Sequence, residues 1–329
     1  MTAAIVQQLS EGPQRSIAVI GAGMAGLSCA GALKAAGHDL TVFETAGRSG
    51  GRMSSQWVRT PCGDALLDDG AQFFTVRDPA FIRQVETWER QGTVARWSLL
   101  GEDAYVGVPA MDCVTEAMAA TLHVELETRI QRLDFCGDRW TLYSASGEFR
   151  DFHAVVIAIP PEQAAPLLAD YDQAMAATAA NARSQPCWTS LFVFPTPLVT
   201  ERGVVRDEGI LGWAGRACSK PGREGPEGWT VHASGAWSSQ HLNEAPDRVA
   251  FHLLNELSER LGTTLPSPAG IRTRLWQSAT STALGLSALW NPDIRLGACG
   301  DWLLAPRVEC AWLSGQRLAR WMLTGNDFV

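Results

Sequence analysis

The chain has 329 residues, 46% of them hydrophobic and 19% charged, with a net charge of −8. That is enough for one large or two ordinary domains around a buried core. The acidic balance, with no basic stripe, argues against a nucleic-acid partner. No apolar run approaches the length of a membrane span, and the opening "MTAAIVQQLSEGPQRS" lacks the basic start and apolar centre of a secretion signal. A cytoplasmic location is therefore expected. The eight cysteines are scattered with no CxxC pair, which favours reduced thiols over a zinc site and leaves no metal expected. Thirteen tryptophans against three tyrosines point to a Trp-lined pocket or to bulky core filler.

In chain order, "SIAVIGAGMAGLSCAGALKAAGHDLTVFE" reads as one unit. Ile17 to Ile20 is a short apolar strand, and Gly21, Gly23 and Gly26 fit GxGxxG. A helix follows from Met24 and Ala25 to about Ala36, then a parallel strand from Leu40 to Phe43, closed by Glu44. Gly21 makes the tight turn, Gly23 admits a diphosphate to the backbone, and Gly26 lets the helix pack on the sheet. Glu44 stands where a carboxylate accepts ribose hydroxyls. Next, "TAGRSGGRMSS" brings Thr45, Arg48, Gly50, Gly51, Arg52 and Met53, a second glycine loop with guanidinium donors for phosphate or ribose oxygens.

"DDGAQFF", containing Gly70, Ala71, Gln72 and Phe74, reads as a turn into a buried extended segment. "PAFIRQVETWERQG" has helical spacing, with Phe81, Val85 and Trp88 on one face. Pro109 opens the helix "AMDCVTEAMAATL". Alternating β-structure then leads to a buried strand from Ala154 to Ile159. From about Leu167 to Trp290 strands dominate, with one helix, "DRVAFHLLNELSERLG", placing Val249, Leu253, Leu257 and Leu261 inward. "KPGREGPEG", Lys220 to Gly228, reads as a Pro/Gly-rich hairpin or mobile loop. Ile294 to Ala298 is expected as the last strand, ending at Gly300 and Asp301. An elbow at Pro306 and Arg307 then leads into a helix from Val308 or Glu309, including Ala311. Its N-terminal amides would favour negative charge developing on a bound ring.

"GAGMAGLSCAGAL…VFE…GRSGGRMSS" resembles the N-terminal signature of the flavin-containing amine oxidase superfamily. "LDDGAQFFTVRDPAF", "VHASGAWSSQHL" and "CGDWLLAPRVECAWLSGQ" make the chain similar to its renalase-like branch, from about Ile17 to Trp321. The resemblance implies an α/β plus α+β fold, a Rossmann-like FAD-binding domain with an inserted strand-rich substrate domain, as in flavin amine oxidases and hydroxybenzoate hydroxylase. The expected division is 1–76, 108–166 and 288–329 for FAD, and 77–107 and 167–287 for substrate, with the active site between them. It also implies candidates for the substrate pocket. His232 is either a substrate hydrogen-bonding group or a satisfied core histidine. Trp276, and more weakly Trp237, would face a planar ring, while Gln72 and Phe74 would follow the loop beneath the flavin. Arg216 would meet a substrate phosphate or stay an exposed loop arginine. Two departures stand out: Ala217 replaces a common Asn, and Cys310 replaces a glycine.

Only one dinucleotide fingerprint exists, so FAD, held non-covalently, fills it, and any nicotinamide compound enters as substrate. The leading expectation is an FAD-dependent oxidase of 2- and 6-dihydro isomers of NAD(P), passing electrons to dioxygen to give hydrogen peroxide. Oxidation or desaturation of an amine or another cyclic metabolite is the alternative. A non-catalytic FAD- or NAD-binding module is a third reading. The tyrosines bear on this choice: amine oxidases often frame the amine with a tyrosine-built cage, and Tyr105, Tyr143 and Tyr171 all lie outside the C-terminal region where one is expected.

Overall fold

Ile17, Ala18 and Val19 are all but inaccessible to water because their strand runs through the middle of a parallel sheet, which buries both faces. The computed structural model describes residues 14–324, so the opening segment read for a secretion signal lies outside the described residues. Among these residues the chain divides into two compact units. The first comprises residues up to Gly51, Thr115–Arg183 and Ser281 onward; the second comprises Arg52–Val114 and Ser184–Thr280.

In the first unit, β1 (Ser16–Ile20), α1 (Met24–Ala35) and β2 (Asp39–Phe43) form the expected strand–helix–strand. The six-stranded sheet is completed by β8 (His123–Glu125), β12 (Ala154–Ile157), β18 (Leu289–Asn291) and β19 (Leu296–Ala298), in the order β18-β19-β12-β1-β2-β8. A three-stranded sheet of β9 (Ile130–Cys136), β10 (Arg139–Ser144) and β11 (Gly147–Phe152) carries Trp140 into the core. Helices α4 (Pro161–Ala169) and α5 (Gln173–Asn181) pack on the same core through Leu168 and Ala179. A short helix not expected from the sequence, α8 (Asp301–Leu304), precedes α9 (Val308–Thr324).

Helices α1 and α9 lie against each other because Gly315 presents no side chain. A Cβ there would sit 2.2 Å from the Ala25 carbonyl oxygen. Ser28 Oγ donates to the Trp312 carbonyl at 2.8 Å, and Gln316 Nε2 donates to the Ser28 carbonyl at 3.0 Å. The glycine-loop helix and the C-terminal helix are thus joined directly.

The second unit holds β3 (Ser55–Val58) paired with β4 (Ala65–Asp68), and β5 (Phe74–Thr75), β6 (Val94–Arg96) and β7 (Ala104–Gly107) in the order β5-β7-β6. Its main sheet contains β13 (Ser184–Phe194), β14 (Val204–Glu208), β15 (Leu211–Arg216), β16 (Glu227–Ala233) and β17 (Gly270–Ser281), ordered β14-β15-β16-β13-β17. Helix α2 (Pro79–Arg90) is capped by Asp78, whose carboxylate accepts from the Ala80 and Phe81 amides. It buries Phe81, Val85 and Trp88, each burial contributing roughly 1.5–3 kcal/mol. Helix α6 (Gly235–Gln240) follows β16, and α7 (Pro246–Leu261) turns Val249, Leu253 and Leu257 into the sheet's core. The unit boundary falls within α3 (Asp112–Ala119).

This division differs from the boundaries read in the sequence: residues 52–76 and 108–114 group with the second unit, and 167–183 and 281–287 with the first. The cause is local. Asp68 is ion-paired to Lys220 and Arg223, and α5 packs on α4 in the first unit's core.

The glycine packing yields a test. Gly315→Val should cost about 1–3 kcal/mol by overpacking and lower flavin retention, whereas Gly31→Ala, where a Cβ meets nothing within 4 Å, should be neutral or stabilising. Denaturant unfolding and flavin absorbance check both. Equal stability of the two variants would contradict the packing argument.

Candidate functional site

A row of backbone bonds carries the first unit's sheet to one edge. Glu44 N donates to the Glu125 carbonyl, Gly21 N to Phe43, Ala158 N to Ile20 and Cys299 N to Ile157, all between 2.8 and 3.0 Å. The carboxyl ends of β8, β2, β1, β12 and β19 therefore finish together, where open α/β sheets bind ligands. That edge gathers the Gly21–Gly26 turn, Glu44 and the Gly300–Asp301 pair.

Helix α1 starts at Gly23 with no side-chain cap and no acidic residue in its first turn, so the first-turn amides of Met24 and Ala25 remain available to an anion. A Cβ on Gly23 would meet nothing within 4 Å, and Gly51 approaches Gly23 Cα at 3.6 Å from its own Cβ position. Gly50 N donates to the Ala22 carbonyl at 3.0 Å, closing the second glycine loop over the first. Gly26 has no such freedom: a Cβ would stand 2.0 Å from the Gly21 carbonyl oxygen. Glu44 accepts the Ala22 amide on Oε2 and the Ala46 amide on Oε1, each at 2.9 Å, which leaves lone pairs for ribose hydroxyls. Thr45 and Arg48 follow in the same loop. This cradle fits the diphosphate and ribose of a dinucleotide.

The C-terminal elbow carries charged groups of its own. The Gly300 amide donates to Ser314 Oγ at 3.0 Å, and Asp301 is buried at the start of α8. At the start of α9, beyond Val308, the buried Glu309 carboxylate lies in the first turn, 3.6 Å from Arg307 Nη1. The helix start thus carries its own negative charge, which offsets its dipole. Ala311 N donates to the Arg307 carbonyl. Cys310 is 3% exposed, and burial pushes its thiol up despite Arg307, so it is a packing residue rather than an activated thiolate.

In the second unit, Arg52, Met53, Gly70, Ala71 and Gln72 come together. Ala71 N donates to the Arg52 carbonyl at 2.8 Å, Asp69 N to Ser54 at 3.2 Å, and Ser54 Oγ to Asp69 Oδ1 at 2.6 Å. Gly70 is required there, since a Cβ would sit 2.0 Å from the Arg52 carbonyl oxygen. Arg52 itself reaches the Ala279 carbonyl at 3.1 Å.

Beside this zipper lies a buried ionic group that the sequence reading missed. Asp68 accepts Lys220 Nζ at 2.8 Å and Arg223 Nη2 at 2.7 Å on one oxygen, and Ser55 Oγ and the Met111 amide on the other. The side chains of Asp68, Lys220 and Arg223 are each 3% exposed or less. The segment expected as a hairpin or mobile loop is therefore fastened at two points. Burial pushes the Asp68 carboxyl up, yet its two cations together outweigh it and hold the group at about 2. Seen from Lys220 the balance reverses: burial pushes the amine down, Asp68 only partly restores it, and Arg223 adds to the fall. The asymmetry has a plain cause, one anion shared by two cations. Lys220 Nζ also lies 5.3 Å from the Trp97 ring centre, a contact that favours the charged form.

The six substrate-pocket candidates fare differently. Gln72 Nε2 donates to the Asp68 and Gly70 carbonyls and its Oε1 accepts from Lys220 Nζ, so it positions the loop. Phe74 is 3% exposed and packs between Phe81 and Tyr105. Arg216 is neither a loop arginine nor a free cation, because it pairs with the buried Glu227 at 2.8 Å. Trp276 donates Nε1 to the Asp69 carbonyl at 2.8 Å, and Arg274 covers its ring at 3.7 Å. Trp237 stacks on His241 at 4.0 Å. His232, on β16, keeps Nε2 buried without a partner among the described residues. Burial, then Lys220, pushes its imidazole down to about 4, against the Asp69 carbonyl that raises it. It is neutral near pH 7. The three tyrosines are engaged elsewhere: Tyr105 stacks with Phe74, Tyr143 lies under Arg132, and Tyr171 donates to the Leu133 carbonyl. Among the described residues no three His, Cys, Asp or Glu groups could hold a metal ion, and no helix is long and apolar enough to cross a membrane.

His232 makes stability depend on pH. An unfolded imidazole titrates near ~6.5, so between that and about 4 the unfolded chain binds the extra proton. The contribution is complete above the higher value and is lost as pH falls toward the lower one. Unfolding free energies from pH 7.5 to 4.5 should fall more steeply for the wild type than for His232→Asn. Parallel profiles would show that His232 is not a buried neutral group.

An NAD(P)-binding Rossmann-like domain model matches residues 19–86, and the model of the flavin containing amine oxidoreductases matches residues 89–322. A putative L-amino-acid oxidase, YobN, of Bacillus subtilis (strain 168) is 48% identical over 52 residues. That match covers 16% of this chain and only 10% of the relative. Among solved structures, a putative protoporphyrinogen oxidase from Exiguobacterium sp. 255-15 has a TM-score of 0.76 at 11% identity, covering 95% of this chain and 99% of that one. Cyclohexylamine oxidase from Brevibacterium oxydans IH-35A has a TM-score of 0.70 at 14% identity with the same coverage. A putrescine oxidase variant has 0.74 at 13%, again covering 95% and 99%. These likenesses establish the fold, a Rossmann-like domain joined to an amine oxidase domain. The diphosphate cradle and the match over most of the chain make FAD the cofactor, and the chain belongs to the flavin-containing amine oxidoreductase family.

Proposed function

We propose that this flavin-dependent oxidoreductase oxidises dihydronicotinamide dinucleotides, the 2- and 6-dihydro isomers of NAD(P), in the manner of the renalase-like branch. The observation that carries the reading is the local charge where two cations meet Asp68, since elsewhere in the second unit the buried Asp69 and Glu227 each have an arginine partner. Lys220 and Arg223 share the single carboxylate of Asp68, an excess of positive charge that disfavours an ammonium substrate and suits an anionic nucleotide. The neutral His232 fits the same reading. A dihydropyridine becomes aromatic on losing a hydride and has no proton to surrender, whereas a protonated amine must first lose one. An imidazole at about 4 is a poor base for that task near neutral pH.

Bound FAD supplies acceptance of two electrons and their transfer to dioxygen, with hydrogen peroxide as the product. The chain's own groups hold and orient. The first-turn amides of α1 take the diphosphate, Glu44 takes ribose hydroxyls, and Arg48 adds guanidinium donors. Gln72 fixes the loop of Gly70 and Ala71, and His232 Nε2 accepts a hydrogen bond from a substrate donor such as a carboxamide N–H. The cofactor is held without a covalent bond, consistent with the buried, unactivated Cys310. Tyr105, Tyr143 and Tyr171 are all committed to other contacts, so none is placed to build an amine cage.

A second reading, oxidation or desaturation of an amine or another cyclic metabolite, is favoured by the family itself and by the amine oxidases among its structural neighbours. The two separate in one experiment. Anaerobic mixing of the purified flavoprotein with borohydride-reduced NAD+, which contains the dihydro isomers, should bleach the oxidised flavin band. Bleaching by amines alone would replace the first reading with the second. No bleaching by either class would leave a non-catalytic dinucleotide-binding module.

A further inference from the structure

On β17 alternate residues share one face of the sheet, so Arg272, Arg274 and Trp276 form a row. Four residues of strand span roughly 13 Å. The row is not uniform in its partners. Arg274 pairs with Asp69 Oδ2 at 2.8 Å, and the other Asp69 oxygen takes Ser54 Oγ. The one carboxylate beside the row is thereby neutralised by Arg274. Arg272, two residues earlier, has no carboxylate among its described contacts. Its Nη1 reaches only the Trp57 carbonyl at 3.1 Å and, at 3.4 Å, Gln56 Oε1. A cleft of about 310 Å³ opens here, lined by Gln56, Asp69, Thr189, Leu191 and the 272–274 stretch of β17. Two guanidinium groups face it against one carboxylate.

We infer that this cleft takes the phosphate-bearing part of a nucleotide, with Arg272 as the group that reads the phosphate. A carbonyl and an amide oxygen hold the guanidinium without neutralising it, and its remaining N–H groups suit the paired oxygens of a phosphate. Arg274, locked on Asp69 and Trp276, forms the fixed wall beside it. The cleft lies wholly within the second unit, and its lining shares no residue with the diphosphate cradle at α1. The inference rests on the proposed reading for the identity of the nucleotide, a dihydronicotinamide dinucleotide, and on the cleft alone for phosphate recognition.

The test is calorimetric titration of the FAD-loaded protein with ADP, adenosine and inorganic pyrophosphate, with ultrafiltration confirming that flavin stays bound. ADP should bind, and Arg272→Gln should weaken it about tenfold, the loss of one charge-assisted contact. Arg272→Lys should fall between, keeping the charge without the fork. Arg90→Gln on α2, an exposed site with the same change of charge, should not weaken ADP. Adenosine should be insensitive to Arg272→Gln. Competition by pyrophosphate would place recognition on the phosphates themselves, and Arg272-dependent ADP binding without it would place recognition on the whole nucleotide; both uphold the inference. Equal ADP affinity in wild type and Arg272→Gln, or ADP binding no tighter than adenosine, would overturn it. The two claims fail separately. A protein bleached by dihydro-NAD isomers yet indifferent to Arg272 keeps the reaction and loses the cleft. One that binds ADP through Arg272 but is not bleached keeps the cleft and loses the reaction.

Discussion

The carboxylate of Asp68 lies inside the second unit with almost no access to water, and six other groups are arranged around this residue. Lys220 and Arg223 bring their charges to one oxygen, while Ser55 Oγ and the Met111 amide satisfy the other. Its backbone carbonyl takes Gln72 Nε2 and Thr230 Oγ1. Any isolated charge in such a place costs several kcal/mol, so none of the three ions would be stable there alone. Together they fasten the β3–β4 hairpin, the approach to α3, the Lys220–Gly228 segment and β16 to one point.

That point also sets the chemistry of its surroundings. With two cations sharing one anion, the group retains positive charge. Its field joins burial in keeping His232 neutral. The same loop, continued one residue to Asp69, organises Arg274 and Trp276 and leaves Arg272 without a counter-ion. The proposed substrate, bearing phosphates and a ring that aromatises on oxidation, is argued from these features. The first unit meanwhile supplies a cradle whose requirements are those of backbone: open amides at α1, glycines where a Cβ would collide, and one acid at the end of β2.

This contrast explains what was legible in the sequence. The glycine turn, Glu44 and the helix after them are local, since each residue's task follows from its neighbours within about thirty positions. Amphipathic helices were equally plain: Phe81, Val85 and Trp88 on α2, and Val249, Leu253 and Leu257 on α7, are buried as their spacing requires. The ionic group was not legible because its partners are more than 150 residues apart. Proline and glycine in "KPGREGPEG" report a backbone that turns, not a lysine and an arginine anchored by a distant aspartate. The pattern of "DDGAQFF" signals a turn, and nothing near its two acids in sequence reveals their cationic partners. Arg216 and Trp276 were chosen from a resemblance, and the structure commits both to local partners, Glu227 for one and Asp69 with Arg274 for the other. Their residue types alone carried no sign of those partners.

The account depends most on Asp68 being the shared anchor of two buried cations, and a double-mutant cycle by denaturant unfolding measures that directly. Asp68→Asn should destabilise the protein by about 3–5 kcal/mol, the cost of leaving buried charge uncompensated. Adding Lys220→Met, which removes one of the stranded cations, should recover part of that loss, so the two effects should fall well short of additive. Additive effects, or a cost of Asp68→Asn within about 0.5 kcal/mol as at an ordinary surface site, would contradict it.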